Sequence, residues 1–412
     1  MEKQCRKRRL EKWIFTVLIL GSILVNIKSI FTSCGLDVQY ALAMSYRMAQ
    51  GDKMFLQMWE PHQTSAFFAA ALIKSYLTIF HTTTGIVVFM NLAGVLLKGA
   101  VTAVLYRTLR KYVDRRALLC MCIFFFTVNP KWILMPEFSN MQLWFSVLLF
   151  CCLFRYFRDQ KKKKWLLLSG FFLCLEVLAY PSCMIVYFGV LLCLLLYARN
   201  KRADILLLTG ECTVCGSIYV LYFTLRMGIG EFVNRIREII MGDASHTGII
   251  SAKLSRYGKD VVEIMLFLGI YAVLSCAVVK IFSFFRKRQP GKEWYIICFL
   301  LCFYVQNFIS TLTAEAEPRY AIVYLPICIL GWILCKYCSE EETQACRMGI
   351  IVSGCGVIAT LLLSNLTVYT TLLYGTLGVG ASLLSCGSVI KRRSGGVERE
   401  PGPVCCLCFA ES

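Results

Sequence analysis

Long apolar stretches alternate with short polar segments along almost the whole chain. An apolar stretch of about 20 residues is long enough to cross the hydrocarbon core of a bilayer as a helix. The pattern therefore predicts an all-α polytopic membrane protein with about twelve transmembrane helices. The predicted spans lie near residues 13–33, 84–106, 117–135, 139–157, 165–180, 183–198, 205–226, 261–282, 293–312, 321–336, 348–364 and 367–390.

Composition and charge support this interpretation. Of the 412 residues, 58% are hydrophobic and 17% are charged, whereas a soluble domain is about one-quarter charged. The formal net charge of +19 would suggest nucleic-acid binding in a soluble protein. Most Lys and Arg residues, however, lie at every second junction between apolar stretches, which is the positive-inside pattern. The sequence therefore predicts a multi-pass protein of the cell membrane, with both termini in the cytoplasm and no nucleic-acid partner.

The predicted topology divides the chain into three parts. Residues 1–12 form a basic cytoplasmic N-terminus, residues 13–390 the transmembrane domain, and residues 391–412 a cytoplasmic tail that is expected to be disordered. Within the transmembrane domain, two sizeable loops face the outer side, residues 34–83 and 227–260. Polar chemistry on the outer face is therefore expected in these two loops.

The apolar segment from Thr64 to Phe80 lies inside the first outer loop. Counting it as a span would place the basic residues that follow the next span outside and invert every later loop. We therefore predict a helix that lies in the outer interface or re-enters the membrane, with Lys74 and Tyr76 reaching toward polar surroundings.

The first outer loop also carries a shorter helical pattern. Asp37 is a predicted N-cap, and the helix is expected to stop at Gly51. A turn at Pro61 would then set the polar residues around it beside the interfacial helix. The residues at helical spacing are Tyr40, Ala43, Met44 and Met48, and the polar residues at the turn are Glu60, His62 and Gln63.

These residues resemble the first periplasmic loop of GT-C glycosyltransferases, most closely that of the protein O-mannosyltransferases and the lipid A aminoarabinose transferase. The shared features are an Asp after the first span, a Tyr three residues later, Arg-Met-x-x-Gly-Asp at the helix end and Glu-Pro before an apolar helix. In this chain they are Asp37, Tyr40, Arg47 to Asp52 and Glu60-Pro61, and Glu317 to Tyr320 is similar to an outer-end motif. Two positions depart from the family pattern, Val38 and the pair His62-Gln63.

The resemblance implies a GT-C-like fold and a membrane-embedded enzyme. It would transfer a hexosyl or pentosyl sugar from a polyprenyl-phosphate donor to an envelope glycan, lipid or protein on the outer face. Such chemistry needs a carboxylate to accept the acceptor's proton and cations to stabilise the departing phosphate. Asp37 is the expected base, and Glu60 is expected to orient the acceptor or to bind a divalent metal with His62. The expected substrate-binding residues are Tyr40, Arg47, His62, Gln63, Lys131, Glu176, Arg256 and Arg319.

Four charged residues lie deeper within predicted spans: Lys28, Lys98, Glu176 and Glu211. A charged group at mid-bilayer costs at least about 2.5 kcal/mol on insertion scales, so each is expected to face the bundle interior, a partner or a water-filled cavity. Glu176, close to the outer turn at Tyr180-Pro181, is the one expected to line the catalytic cavity, unless it only hydrogen-bonds within the bundle.

Structural alternatives stand beside these assignments. Asp37 could serve only as a helix cap, Glu60 could face water, and His62 could be an ordinary loop residue. Lys131 could be an interface anchor and Arg319 a partner of nearby glutamates. The second outer loop could cover the acceptor or simply be solvated.

Two other functions are compatible with the topology. Twelve spans with cytoplasmic ends are also typical of carriers, so the alternative is a carrier or flippase for lipid-linked sugars or small solutes. The loop after the second span, however, contains no glycine, although such carriers usually have a glycine-containing basic motif there. A noncatalytic subunit of an envelope assembly complex is the third hypothesis.

Overall fold

A computed structural model describes most of the transmembrane region. The described residues are 2–32, 35–58, 60, 62–129, 133–159, 162–242, 250–286, 294–295, 298–299, 302, 305, 324–363 and 367–394. They are almost entirely helical, which confirms the predicted all-α class.

Fifteen α-helices of five or more residues lie in the described part of the chain. They are α1 (Glu2–Thr32), α2 (Leu36–Gln50), α3 (Ala66–Phe80), α4 (Ile86–Leu109), α5 (Arg115–Thr127), α6 (Phe138–Arg158), α7 (Lys163–Ala179), α8 (Met184–Tyr197), α9 (Lys201–Met227), α10 (Ile229–Gly242), α11 (Ile250–Arg286), α12 (Tyr324–Leu334), α13 (Glu340–Leu363), α14 (Val368–Leu372) and α15 (Thr376–Ser394). Short 3₁₀ turns precede α3, α8 and α15 and follow α12.

Seven stretches within the described residues are long and apolar enough to cross a membrane. They are Arg9–Thr32, Ile86–Leu109, Phe138–Arg158, Lys201–Met227, Ala252–Phe285, Glu340–Leu362 and Val368–Val389. Each overlaps a predicted span, which supports a membrane protein. The stretches Pro181–Tyr197 and Tyr324–Tyr337 are apolar but shorter. Most of the predicted span 293–312 lies outside the described residues, and the number twelve stays a prediction.

The predicted span 117–135 is wrong in its second half, because α5 ends at Thr127. The chain from Val128 to Glu137 is non-helical wherever it is described and packs beside α4. Backbone carbonyls that are shielded from water need protein partners. The Lys98 ammonium donates to the Val128 carbonyl at 2.5 Å, and the Asn140 amide donates to Ile133 and Met135 at 3.1 and 2.9 Å. Side chains of α4 and α6 thus stabilise the non-helical segment that follows α5.

A central bundle is built around α6, which packs against α4, α7 and α13. In the most apolar 18-residue stretch of α6, 83% of the residues are buried. The corresponding share for Val368–Val389 is 78%. Helix α15 approaches its neighbours closely because small residues face each other. A Cβ placed on Gly349 of α13 would lie 2.5 Å from the Ala381 Cβ, and one on Gly387 would lie 2.5 Å from that of Ala117. Such small-residue contacts are typical of helix packing in membranes.

The peripheral helices α1, α9 and α11 have the opposite character. In the most apolar 18-residue stretch of each helix, only 17% of the residues of α1, 6% of those of α9 and 17% of those of α11 are buried. Their exposed side chains are mostly Leu, Ile, Val and Phe. A surface of this composition fits contact with lipid rather than with water.

The first loop folds into α2 and α3, which pack against each other, while α3 also contacts α4. Helix α2 ends at Gly51, which has a φ of 109°, as predicted. The predicted cap is wrong: Gly35 precedes the helix in extended conformation, and Asp37 lies inside the first turn. The prediction for Tyr76 is also wrong, because its ring is buried and its hydroxyl donates to the Thr84 carbonyl.

The deeper charges divide into three groups. Lys98 and Glu176 are buried in the bundle, as predicted. Glu211 lies half-buried against Gly170 of α7. Lys28 is exposed, contrary to expectation, because α1 uses its other face, with Asn26 and Ile30, to contact the protein.

Candidate active site

The first turn of α2 carries Asp37, which is half-buried. The positive end of a helix dipole favours a carboxylate in this position. One turn later, the Tyr40 hydroxyl donates a hydrogen bond to the Glu60 carboxylate. Glu60 is therefore fixed beside the helix that holds Asp37.

The segment after Glu60 is anchored to the end of α7. The His62 imidazole stacks between two rings, 4.3 Å from the Phe138 centroid and 4.7 Å from the Tyr180 centroid, with interplanar angles of 15°. The Thr64 hydroxyl donates to the Leu178 carbonyl. These contacts hold the loop at the turn between α7 and α8.

Two tyrosines, Tyr180 and Tyr374, interact electrostatically with polar residues from separate elements at this end of the bundle. Tyr374, in the turn before α15, is in electrostatic range of both Asp37 and Glu137. Tyr180 is in electrostatic range of Glu137, Tyr374 and Tyr257. We call Asp37, Glu137, Tyr180, Tyr257 and Tyr374 the polar cluster.

Glu137 is held firmly by the start of α6. One of its oxygens accepts from the Ser139 amide and hydroxyl, both at 2.9 Å, and the other accepts from the Asn140 amide at 2.8 Å. Donors at a helix N-terminus stabilise the charged form of a carboxylate. Glu137 is 2% exposed, and these bonds fix the position of its carboxyl group.

Helix α11 brings a cation to the same region. Tyr257 donates to the Leu361 carbonyl at 2.8 Å, and the Asp260 carboxylate accepts from the Val368 amide at 3.0 Å. These bonds fix α11 to the end of α13 and the start of α14. Arg256 is half-buried beside Tyr257, with its guanidinium carbon 5.5 Å from the ring centroid.

Two of the other predicted substrate-binding residues support the loop itself. Arg47 pairs with Asp52 at 2.7 Å and donates to the Gln57 carbonyl at 2.6 Å. Gln63 is 1% exposed, and its side-chain oxygen accepts from the Phe55 amide at 2.8 Å. Their contacts here are with protein groups, and a role toward substrate stays a prediction.

Three predicted substrate-binding residues remain. Glu176 is fully buried close to Ser146 and Cys183, neither of its carboxylate oxygens has a hydrogen-bond partner among the described residues, and its role in lining the catalytic cavity stays a prediction. Lys131 and Arg319 lie outside the described residues.

The donor set does not fit a metal centre built on Glu60 and His62. The imidazole is enclosed by two aromatic rings, and the Glu60 carboxylate accepts from Tyr40. Among the described residues, no three His, Cys, Asp or Glu side chains are grouped so that they could hold a metal ion. We derive no step of the reaction through a metal.

Sequence reasoning missed Glu137, Tyr180, Tyr257 and Tyr374 as members of one site. The segment Met135-Pro136-Glu137 before an apolar span is a recognisable N-cap signal. That signal predicts a helix start, but it does not reveal that the same carboxylate interacts electrostatically with Tyr180 and Tyr374.

No protein-family model matches the chain, and no curated protein matches it. Solved structures do share its fold. The Archaeoglobus fulgidus oligosaccharyltransferase tethered to an acceptor peptide superimposes with a TM-score of 0.50 at 11% identity, over 92% of this chain and 50% of that one. The same enzyme with an inhibitory peptide and a dolichol-phosphate gives a TM-score of 0.43 at 11% identity, over 94% of this chain and 53% of that one.

The chain therefore shares the fold of an archaeal oligosaccharyltransferase, which is itself a GT-C glycosyltransferase, and this agrees with the GT-C-like fold that the first loop indicated. The chain spans about half the length of that enzyme. The narrower resemblance to protein O-mannosyltransferases stays a prediction.

Proposed function

We propose that the protein is a membrane-embedded glycosyltransferase that moves a sugar from a polyprenyl-phosphate donor to a cell-envelope acceptor on the outer face. The observation that carries the proposal is the placement of Asp37. It lies on the helix that also fixes Glu60, and it interacts electrostatically with Tyr374 from the turn before α15. The GT-C fold supports a lipid-linked donor.

The reaction assigns a role to each group. An acceptor hydroxyl attacks the anomeric carbon of the sugar while Asp37 takes the hydroxyl proton. The bond between the anomeric carbon and the phosphate oxygen breaks, and the lipid leaves as polyprenyl phosphate. Glu60, oriented by Tyr40, holds the acceptor in line. Arg256 stabilises the charge that develops on the departing phosphate.

A carrier or flippase would use the charged residues within the spans as its pathway. Lys98 donates to Val128 and Asn129, and Glu176 lies against Ser146 and Cys183. Lys98 thus has structural partners that account for its burial without a transported solute, whereas the Glu176 carboxylate has no hydrogen-bond partner among the described residues.

The test is transfer from a synthetic lipid-phosphate sugar by purified protein, comparing wild type with Asp37→Asn. Loss of a general base is expected to lower the rate by about 10²- to 10⁴-fold. The matched control is Asp114→Asn at the start of α5, where Asn caps a helix as well as Asp does. Wild-type activity in a folded Asp37→Asn variant would remove Asp37 as the base.

A further inference from the structure

Helix α10, in the second loop, has an apolar face that is divided between two environments. Phe232 and Ile239 are buried against the protein. Ile229, Val233 and Ile240 are 70%, 56% and 60% exposed. At 100° per residue, these three exposed side chains fall within a sector of roughly 40°, next to the buried pair. We call Ile229, Val233 and Ile240 the α10 stripe.

Glu231, Arg235 and Glu238 lie on the side of α10 away from the stripe and pair with each other, whereas Arg237 lies about 40° beyond Val233 around the helix. Arg235 contacts Glu231 at 2.7 Å and Glu238 at 3.0 Å. The helix is thus amphipathic, with a charged side and an apolar side that protein covers only in part. This arrangement is typical of helices that lie in a membrane interface.

The α10 stripe continues a lipid-facing surface. Helix α9 is a candidate membrane span with only 6% of its apolar window buried. Leu225 in its last turn is 77% exposed, and Leu221 one turn earlier is 55% exposed. Gly228, with a φ of 81°, is the only residue between α9 and α10. The chain therefore passes directly from a membrane-facing helix to the stripe.

The buried half of the same face holds the tip of the first loop. The Phe55 ring lies 4.8 Å from that of Phe223 on α9 and 5.3 Å from that of Phe232 on α10, centroid to centroid. Phe55 has a φ of 62°, in the left-handed region that non-glycine residues rarely adopt. Such a conformation persists only where its surroundings fix it. The two rings, together with the Gln63 side chain that accepts from the Phe55 amide, supply that support.

We propose that α10 is an interfacial helix whose stripe is immersed in the bilayer at the end of α9, and that through Phe55 it fixes the first-loop tip at the membrane surface. The partner of the stripe is therefore lipid. Three side chains present far less than the about 800 Å² per partner of a stable protein interface, which disfavours a second copy of the chain. This inference does not depend on glycosyl transfer.

Photocrosslinking tests the partner directly. Benzoylphenylalanine replaces Val233 in the full chain, which is reconstituted in nanodiscs of phosphatidylcholine and phosphatidylglycerol. Asn234 is the matched control because it is exposed, adjacent in sequence and outside the stripe. Mass spectrometry is expected to show lipid adducts at position 233 in several-fold excess over position 234. A crosslinked dimer, a crosslink to another segment of the same chain, or equal lipid yields at both positions would overturn the proposal.

Hydrogen exchange tests the connection to the first loop. The double variant Val233→Ser, Ile240→Ser weakens insertion of the stripe without touching Phe55, Phe223 or Phe232. In nanodiscs, the amides of residues 52–58 are expected to exchange several-fold faster in this variant than in wild type, whereas Asn234→Ser leaves them unchanged. Identical exchange in the double variant and wild type would refute the coupling even if lipid adducts form.

Discussion

The central bundle and the peripheral helices differ in an instructive way. Among the seven candidate spans, α6 is the least hydropathic and the most buried, whereas α11 is the most hydropathic and has only 17% of its apolar window buried. In a soluble protein, by contrast, the most buried helix would be the most hydropathic one. Lipid tails are as apolar as leucine, so hydrophobicity alone gives no reason for helices to associate in a membrane.

Small and polar residues therefore mark the bundle. Helix α6 buries Asn140 and Gln142, and the Gln142 amide reaches the Gly356 carbonyl of α13 at 3.3 Å. Gly349 lets α13 and α15 approach closely. The peripheral helices present mainly Leu, Ile, Val and Phe outward. Tight packing should thus be a source of stability in one region and not in the other.

The largest effect should come from removing a packed side chain. Phe150 of α6 is fully buried, whereas Leu206 of α9 is 72% exposed. Phe150→Ala leaves a cavity and should lower the free energy of unfolding by about 3–5 kcal/mol. Leu206→Ala should change it by about 0.5 kcal/mol or less. Unfolding by sodium dodecyl sulfate titration measures both, and equal losses would contradict the division into two regions.

A smaller effect is expected from adding bulk at a glycine. Gly349→Leu forces α13 and α15 apart and should cost about 1–3 kcal/mol, as overpacking does. Gly216 of α9 has no other residue near the position of an added Cβ, so Gly216→Leu is the matched control and should be tolerated. Thermal unfolding in nanodiscs separates the two variants. A destabilised Gly216→Leu variant would show that α9 is packed against protein rather than lipid.

The smallest effect concerns helix caps. Glu137 caps α6 from a buried position, and Asp114 caps α5 from a half-buried one. Removing a cap costs about 0.5–2 kcal/mol, and more where the freed amides cannot reach water. Glu137→Ala should therefore destabilise the protein more than Asp114→Ala does. If chemical unfolding ranks the two variants in the opposite order, the buried amides of α6 have found other partners.

Much of the helical framework follows from the sequence, because each apolar stretch forms its backbone hydrogen bonds within itself. The end of α5 at Thr127 does not follow from apolarity alone. Pro130 in the sequence disfavours a helix at the residue before it, and the side chains of Lys98 from α4 and Asn140 from α6 bond to the non-helical backbone. Those partners are distant in sequence, and local patterns carry no information about them.

The candidate site shows the same limit. The loop residues Asp37, Tyr40 and Glu60 were found because they are close in sequence and resemble a known motif. The contact between Tyr40 and Glu60 fits that grouping. Tyr374, more than 300 residues away along the chain, joins Asp37 only through the packing of α15 into the bundle. The His62 ring stack likewise depends on three separate segments.

Bond cleavage in the donor tests the central claim most directly. Purified protein in proteoliposomes is given a polyprenyl-phosphate sugar labelled in the sugar, together with a candidate acceptor, and the lipid products are analysed by mass spectrometry. The proposed function predicts free polyprenyl phosphate in equal amount to labelled acceptor. Movement of intact donor across the bilayer, with no polyprenyl phosphate released, would contradict it and identify a carrier.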